Sequence, residues 1–89
     1  MKKLYLFKRD LCSPCSFVYN HLKTINIEPD RLVNMSEDDP EGFEKAAKFQ
    51  VMTVPAMVLH DEENDTFEKV TGADLGKINV LINKRFETQ

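Results

Sequence analysis

Cys12 and Cys15 are the only cysteines in the 89-residue sequence, and two residues separate them, in Cys12-Ser13-Pro14-Cys15. A thiol attacks a disulfide only as the thiolate. At an ordinary thiol pKa of ~8.5, about 3% is ionised at pH 7. Unpaired N–H groups and the partial positive charge at a helix start favour that ionised form. Lys8 and Arg9 add cations nearby, and Asp10 opposes them. A second thiol one helical turn later can reach the first and release a mixed disulfide intramolecularly. The spacing therefore suits Cys12 as nucleophile and Cys15 as the resolving thiol.

The elements around the pair decide whether that chemistry is available. Lys3 to Phe7 read as a strand, and four consecutive apolar residues in it fit a strand buried on both faces. Pro14 is unfavourable inside a helix but suits its first turn. A helix should start at about Cys12 or Ser13 and run to about Ile25. Its apolar stripe is Cys15, Val18, Leu22 and Ile25, at spacings of three, four and three. Cys15 lies on this stripe, partly covered. Cys12 lies off it, at the helix start, and should be exposed.

Asn26 to Pro29 break the helix, and Arg31 to Met35 read as a second strand. Asp39-Pro40 has the form of an N-cap followed by proline at the first helical position. The helix it opens runs to about Phe49, with Phe43, Ala46 and Ala47 inwards and Gly42 weakening it. Ala56 to Leu59 form a third strand, and Asp61 to Asp65 a charged turn around which His60 sits as a strand-end or turn residue. Thr66 to Thr71 form a fourth strand, where Glu68 and Lys69 suit an exposed edge. Asp74 caps a last helix reaching about Phe86, with Leu75, Ile78, Leu81 and Ile82 inwards. The order βαβαββα implies a mixed four-stranded sheet flanked by three helices. Its first two strands are parallel with a right-handed crossover, and its last two are antiparallel.

Composition narrows the function classes. The chain is 42% apolar and 30% charged with a formal charge of -3, as for one soluble globular domain spanning residues 1–89. No basic face stands out, so nucleic acid is not an expected partner. No apolar run approaches the ~20 residues of a membrane helix. The run after Met1-Lys2-Lys3 is shorter than the ~7–15 residues of a signal peptide's apolar region. A cytoplasmic chain is expected, where paired cysteines lean towards catalysis or metal binding. A structural zinc site needs four ligands. His21 and His60 lack the paired spacing to complete one, so no metal is expected.

On these residues the whole chain resembles the thioredoxin superfamily, on its glutaredoxin side. Phe7-Lys8-Arg9-Asp10-Leu11-Cys12-Ser13-Pro14-Cys15 resembles the redox loop, with a basic residue three before the first cysteine. Thr53-Val54-Pro55 resembles the family's Thr-Val-Pro, whose proline is cis and faces the sulfurs. Thr71-Gly72-Ala73-Asp74 resembles the Gly-Gly-x-Asp before the last helix. The resemblance implies a thioredoxin fold and a dithiol–disulfide oxidoreductase acting on protein disulfides. Ser13 and Pro14 would border the substrate. A cis Pro55 would turn the Val54 backbone outwards, so that its N–H and C=O pair with an extended peptide or glutathione as a short β-ladder, with Thr53 and Pro55 beside it. Glutathione, as a co-substrate rather than a tightly bound cofactor, would place its glycyl carboxylate on Lys8 or Arg9. Its γ-glutamyl end would meet Gly72, Ala73 and Asp74, although Asp74 serves more simply as an N-cap.

The sequence also departs from each subfamily. Glutaredoxins that use glutathione usually carry Cys-Pro-Tyr-Cys. Proline directly before the second cysteine is a thioredoxin habit, yet thioredoxin's tryptophan before the first cysteine is Leu11 here and its buried aspartate is Leu6. The size and the Arg9 context resemble small glutaredoxin-like redoxins that reduce ribonucleotide reductase and take electrons from thioredoxin reductase. Glutathione and thioredoxin reductase therefore both stay open as electron donors to a monomeric carrier. The alternative is a thioredoxin-like binding module that docks a partner at the Val54-Pro55 face without turnover.

Overall fold

Residues 4–7 are buried on both sides because their strand is an inner one. The structure is a computed structural model that describes residues 1–86. Among them the order is β1 (Lys2–Lys8), α1 (Ser13–Thr24), β2 (Arg31–Asn34), α2 (Pro40–Lys48), β3 (Ala56–Asp61), β4 (Thr66–Thr71) and α3 (Leu75–Arg85). The sheet order is β2-β1-β3-β4. β1 is parallel to β2 and antiparallel to β3, and β3 is antiparallel to β4. This is the mixed sheet that the chain order implies.

Strand alternation divides the interior in two. Leu4 and Leu6 of β1 and Met57 and Leu59 of β3 face α1 and α3, packing on Val18, Leu22, Ile78, Leu81 and Ile82. Tyr5 and Phe7, with Ala56 and Val58, face the other way and pack on Val33, Ala46 and Phe49. Leu6, where the resembled family has an aspartate, is a fully buried member of the first cluster.

Several inward-facing assignments differ from the sequence expectation, each for a local reason. Ile25 is 40% exposed. It is the C-cap of α1, and Asn26 follows at φ 62°. The Asn26 and Ile27 N–H groups then donate to the Lys23 and Leu22 carbonyls, a Schellman closure that turns the chain back. Ile27 thereby takes the place on the core expected of Ile25. In α2, Phe43 is 39% exposed and Ala47 is exposed, whereas Gly42, Ala46 and Phe49 are buried. Gly42 sets this rotation. A Cβ there would lie 2.6 Å from Val33 Cγ1 and 2.5 Å from Asp39 Oδ2. Only glycine lets the first turn lie this close to β2, so Gly42 is a packing residue rather than a weak point. His60 is at a strand end, as expected, and its side chain is inside. It lies within β3, buried, with its ring 5.0 Å from Phe49 and its Nε2 2.9 Å from Asp65. Its Nδ1 is buried without a hydrogen-bond partner among the described residues.

Asp39 caps α2 by accepting the Gly42 N–H at 3.0 Å, and Arg31 of β2 donates to both its oxygens. Arg31, the largest influence, and the Gly42 N–H hold the Asp39 carboxyl below its ordinary value of 3.8. His60, then Lys48, lower Asp65 in the same way. A carboxyl whose pKa is lower in the folded chain stabilises the fold when ionised. That contribution is complete above 3.8 and is lost as the pH falls through the lowered value. In an Arg31→Gln variant the Asp39 carboxyl should titrate closer to 3.8 and contribute less acid sensitivity, as followed by carboxyl NMR and acid unfolding. An unchanged Asp39 titration would refute this account of the cap.

Candidate functional site

The register gathers the chemistry at one end of the sheet. Phe7 of β1 pairs with Val33 and Ala56, and Ala56 pairs with Thr71. The segments 8–12, 35–39, 51–55 and 72–74 therefore all leave the sheet at the same end. The first of them delivers Cys12 to the start of α1.

Cys12 and Cys15 form a disulfide with a Cα–Cα distance of 5.2 Å. Cys12 is the N-cap of α1, and its sulfur accepts the Cys15 N–H at 3.2 Å. This folds the sulfur back over the helix start, so Cys12 is 7% exposed rather than open to solvent. Cys15, on the apolar stripe, is 1% exposed. The order of access expected from the sequence survives, but the exposure of Cys12 in the oxidised pair does not. Ser13 and Pro14, in the first turn, are exposed. Leu11, just before Cys12, has φ 53° and a fully exposed side chain. A left-handed conformation at leucine costs about 1–2 kcal/mol, and here it presents an apolar group to solvent beside the disulfide.

Two clamps hold the loop that carries Arg9, Asp10 and Leu11. The Lys8 carbonyl accepts the Met35 N–H at 2.7 Å. The Asp10 N–H donates to Ser36 Oγ at 2.9 Å, and Asn34 Nδ2 donates to the Asp10 carboxylate at 2.9 Å. Asp10 is thus engaged with β2 and the turn after it. An Asn-x-Ser after a strand (here Asn34 and Ser36) has no distinct sequence signal, and these partners were not legible beforehand.

Arg9, Met35, Val51, Met52, Thr53 and Val54 line an open groove of about 430 Å³. The Val54–Pro55 peptide bond is cis. Pro55 is buried, Val54 is half-buried, and Thr53 and Met52 are exposed. The Pro55 carbonyl accepts the Gly72 N–H at 2.8 Å, which ties the 72–74 turn to this segment. Gly72 has φ 87°, a conformation suited to glycine. Asp74 caps α3, its carboxylate accepting the Lys77 N–H at 3.1 Å, and Ala73 is exposed. The structure thus brings Arg9, Thr53 and Val54 onto one groove and fastens Gly72 to its Pro55 end. Lys8, Ala73 and Asp74 are not among the residues lining it. Met35, Val51 and Met52 are lining residues that sequence reasoning missed. The sequence signal for Met52 was only its place directly before Thr53-Val54-Pro55; its 87% exposure is a feature of the fold.

His21 Nε2 lies 2.8 Å from Asn79 Oδ1, and His60 pairs with Asp65 at the far end of β3. Among the described residues, no three His, Cys, Asp or Glu are gathered as they would be around a metal ion. No helix among them is long and apolar enough to cross a membrane.

No family model matches the chain. It is 26% identical over 82 residues to the SPbeta prophage-derived thioredoxin-like protein YosR of Bacillus subtilis (strain 168), covering 92% of this chain and 96% of that one. Thioredoxin from Trypanosoma brucei brucei superposes with a TM-score of 0.71 at 16% identity, over 99% of this chain and 77% of the other. Mitochondrial thioredoxin 3 from Saccharomyces cerevisiae, in its oxidized form, gives 0.66 at 27% identity, over 93% and 77%. The fold is the thioredoxin fold.

Proposed function

We propose that this chain, a member of the thioredoxin superfamily, is a dithiol–disulfide oxidoreductase that reduces protein disulfides. One observation carries the reading: a Cys12–Cys15 disulfide at the start of α1, on the sheet end where the Arg9–Val54 groove opens. In the reduced protein the Cys12 thiolate attacks a substrate disulfide. The first substrate sulfur leaves as a thiolate and takes up a proton. The Cys15 thiolate then attacks Cys12 Sγ, the second substrate sulfur leaves, and the Cys12–Cys15 bond forms. Two electrons pass to the substrate, and the described state is the oxidised product. Cys15 is the more covered sulfur, which suits a thiol that meets only Cys12. The Cys15 N–H at 3.2 Å from Cys12 Sγ supplies a donor to the thiolate at the helix N-terminus.

The electron donor in this proposal is a flavoprotein dithiol of the thioredoxin reductase type. The placing of Ala73 and Asp74 outside the groove lining supports it, because those are the groups glutathione's γ-glutamyl end would need. The relatives at 26% and 27% identity, a thioredoxin-like protein and a thioredoxin, support the same choice. Offering the oxidised protein NADPH with thioredoxin reductase, and separately glutathione with glutathione reductase, tests this. Fast reduction in the first and slow in the second is expected. The reverse would assign the protein to glutathione.

A further inference from the structure

We infer that Lys69 is a positioning residue that sets the backbone of segment 51–54 for protein substrates, an inference that rests on the oxidoreductase reading. On β4, residues two apart share a face. Phe67 puts its ring 5.2 Å from Phe49, and Lys69 shares that face. Glu68 points to the opposite side, where it meets Lys84 at 2.6 Å. Lys69 is therefore not a solvated edge charge. Its Nζ donates to the Phe49 carbonyl at 3.2 Å and to the Gln50 carbonyl at 2.5 Å.

Those two carbonyls mark where α2 ends and the groove segment begins. Phe49 is the C-cap and Gln50 follows at φ 54°. The Gln50 and Val51 N–H groups donate to the Ala47 and Ala46 carbonyls. This closure fixes the N–H groups of the turn but leaves the Phe49 and Gln50 carbonyls to find other partners. An ammonium group is well suited to them at the negative end of the helix dipole. At the other end of the segment the Gly72 N–H holds the Pro55 carbonyl. Residues 51–54 are thus suspended between two anchors that both come from β4 and its exit. Val51, Met52, Thr53 and Val54 line the groove, so the first anchor governs the wall that an extended protein substrate meets. A small disulfide needs Cys12 alone and makes no use of that wall.

The test uses the fully reduced 89-residue chain in single turnover against insulin and against 5,5′-dithiobis(2-nitrobenzoate). Lys69→Met should raise the half-saturating insulin concentration about tenfold, because an unanchored wall must be ordered again on binding, and leave the plateau rate and the small-disulfide rate within about twofold. Lys69→Arg should restore most of the insulin affinity. If Lys69→Met does not fold, Lys69→Gln, which keeps N–H donors without the charge, is measured in the same way. Unchanged half-saturation overturns the inference. So does an equal loss on both substrates, which marks general disruption. A wild-type chain that reduces neither substrate removes the oxidoreductase reading, and the inference with it.

Discussion

Replacing Cys12 by serine should abolish disulfide reduction, a loss of at least about a thousandfold, because a neutral hydroxyl supplies neither an ionised nucleophile nor a sulfur for the second attack. Cys15→Ser should behave differently. The first attack still occurs, but nothing within reach of Cys12 Sγ can release the adduct. A covalent Cys12–substrate species should accumulate, readable by mass spectrometry under non-reducing conditions and lost on adding dithiothreitol. The assignment depends on the geometry, not merely on the presence of two thiols. Cys12 caps α1 and its sulfur takes the Cys15 N–H at 3.2 Å, whereas Cys15 is sealed on the core side at 1% exposure. If Cys12→Ser trapped substrate and Cys15→Ser were dead, the roles would be reversed.

The largest loss of stability should come from Phe49→Ala, well away from the sulfurs. Phe49 is completely buried. Its ring lies 5.1 Å from Tyr5, 5.2 Å from Phe67, 5.0 Å from His60 and 6.5 Å from Phe7. Removing it leaves a cavity that these rings can only partly close, at a cost of about 3–5 kcal/mol. A small domain has about 5–15 kcal/mol in total, so the variant should be marginal. Its melting temperature should fall by at least about 12 °C, since each kcal/mol is worth about 4–8 °C at this size. Phe43→Ala, at a 39% exposed position, is the control and should cost less than about 1 kcal/mol. Equal losses in thermal unfolding would contradict the rotation observed for α2.

That comparison also shows what could be read from the sequence. The order of elements, the sheet and the caps at Asp39 and Asp74 follow from apolar periodicity and from proline and aspartate placement, which are local signals. The two thiols and their relation to α1 were equally local. The facing of α2 was not. Phe43, Ala46 and Ala47 make one plausible stripe and Gly42, Ala46 and Phe49 another, and helical spacing alone does not choose. Contact of Gly42 with Val33 chooses, and that is a tertiary fact. The same holds on β4, where Glu68 and Lys69 look alike as edge charges. Alternation sends one to α3 and the other to the end of α2. The strand-end place of His60 was local, but its burial depends on Phe49 closing over it, and its hydrogen bond on a turn that returns Asp65. In the site, Met35, Asn34 and Ser36 come from a segment whose nearness to Lys8 and Asp10 is set by parallel pairing of β1 with β2.

The sheet is roofed unequally. α1 and α3 share one face, while α2, nine residues long, covers the other. Proteins open in cooperative parts, and the part with least buried apolar contact opens first. An opening that lifts α2 carries residues 50–54 with it, so the groove dissolves while α1 and the cysteine pair stay seated on the opposite core. On the proposed reading, reactivity and discrimination then reside in units of different local stability. Amide protons of α2 should exchange with solvent sooner than those of α1. Gentle warming would then leave a protein that still exchanges disulfides but has become indifferent to which partner presents them.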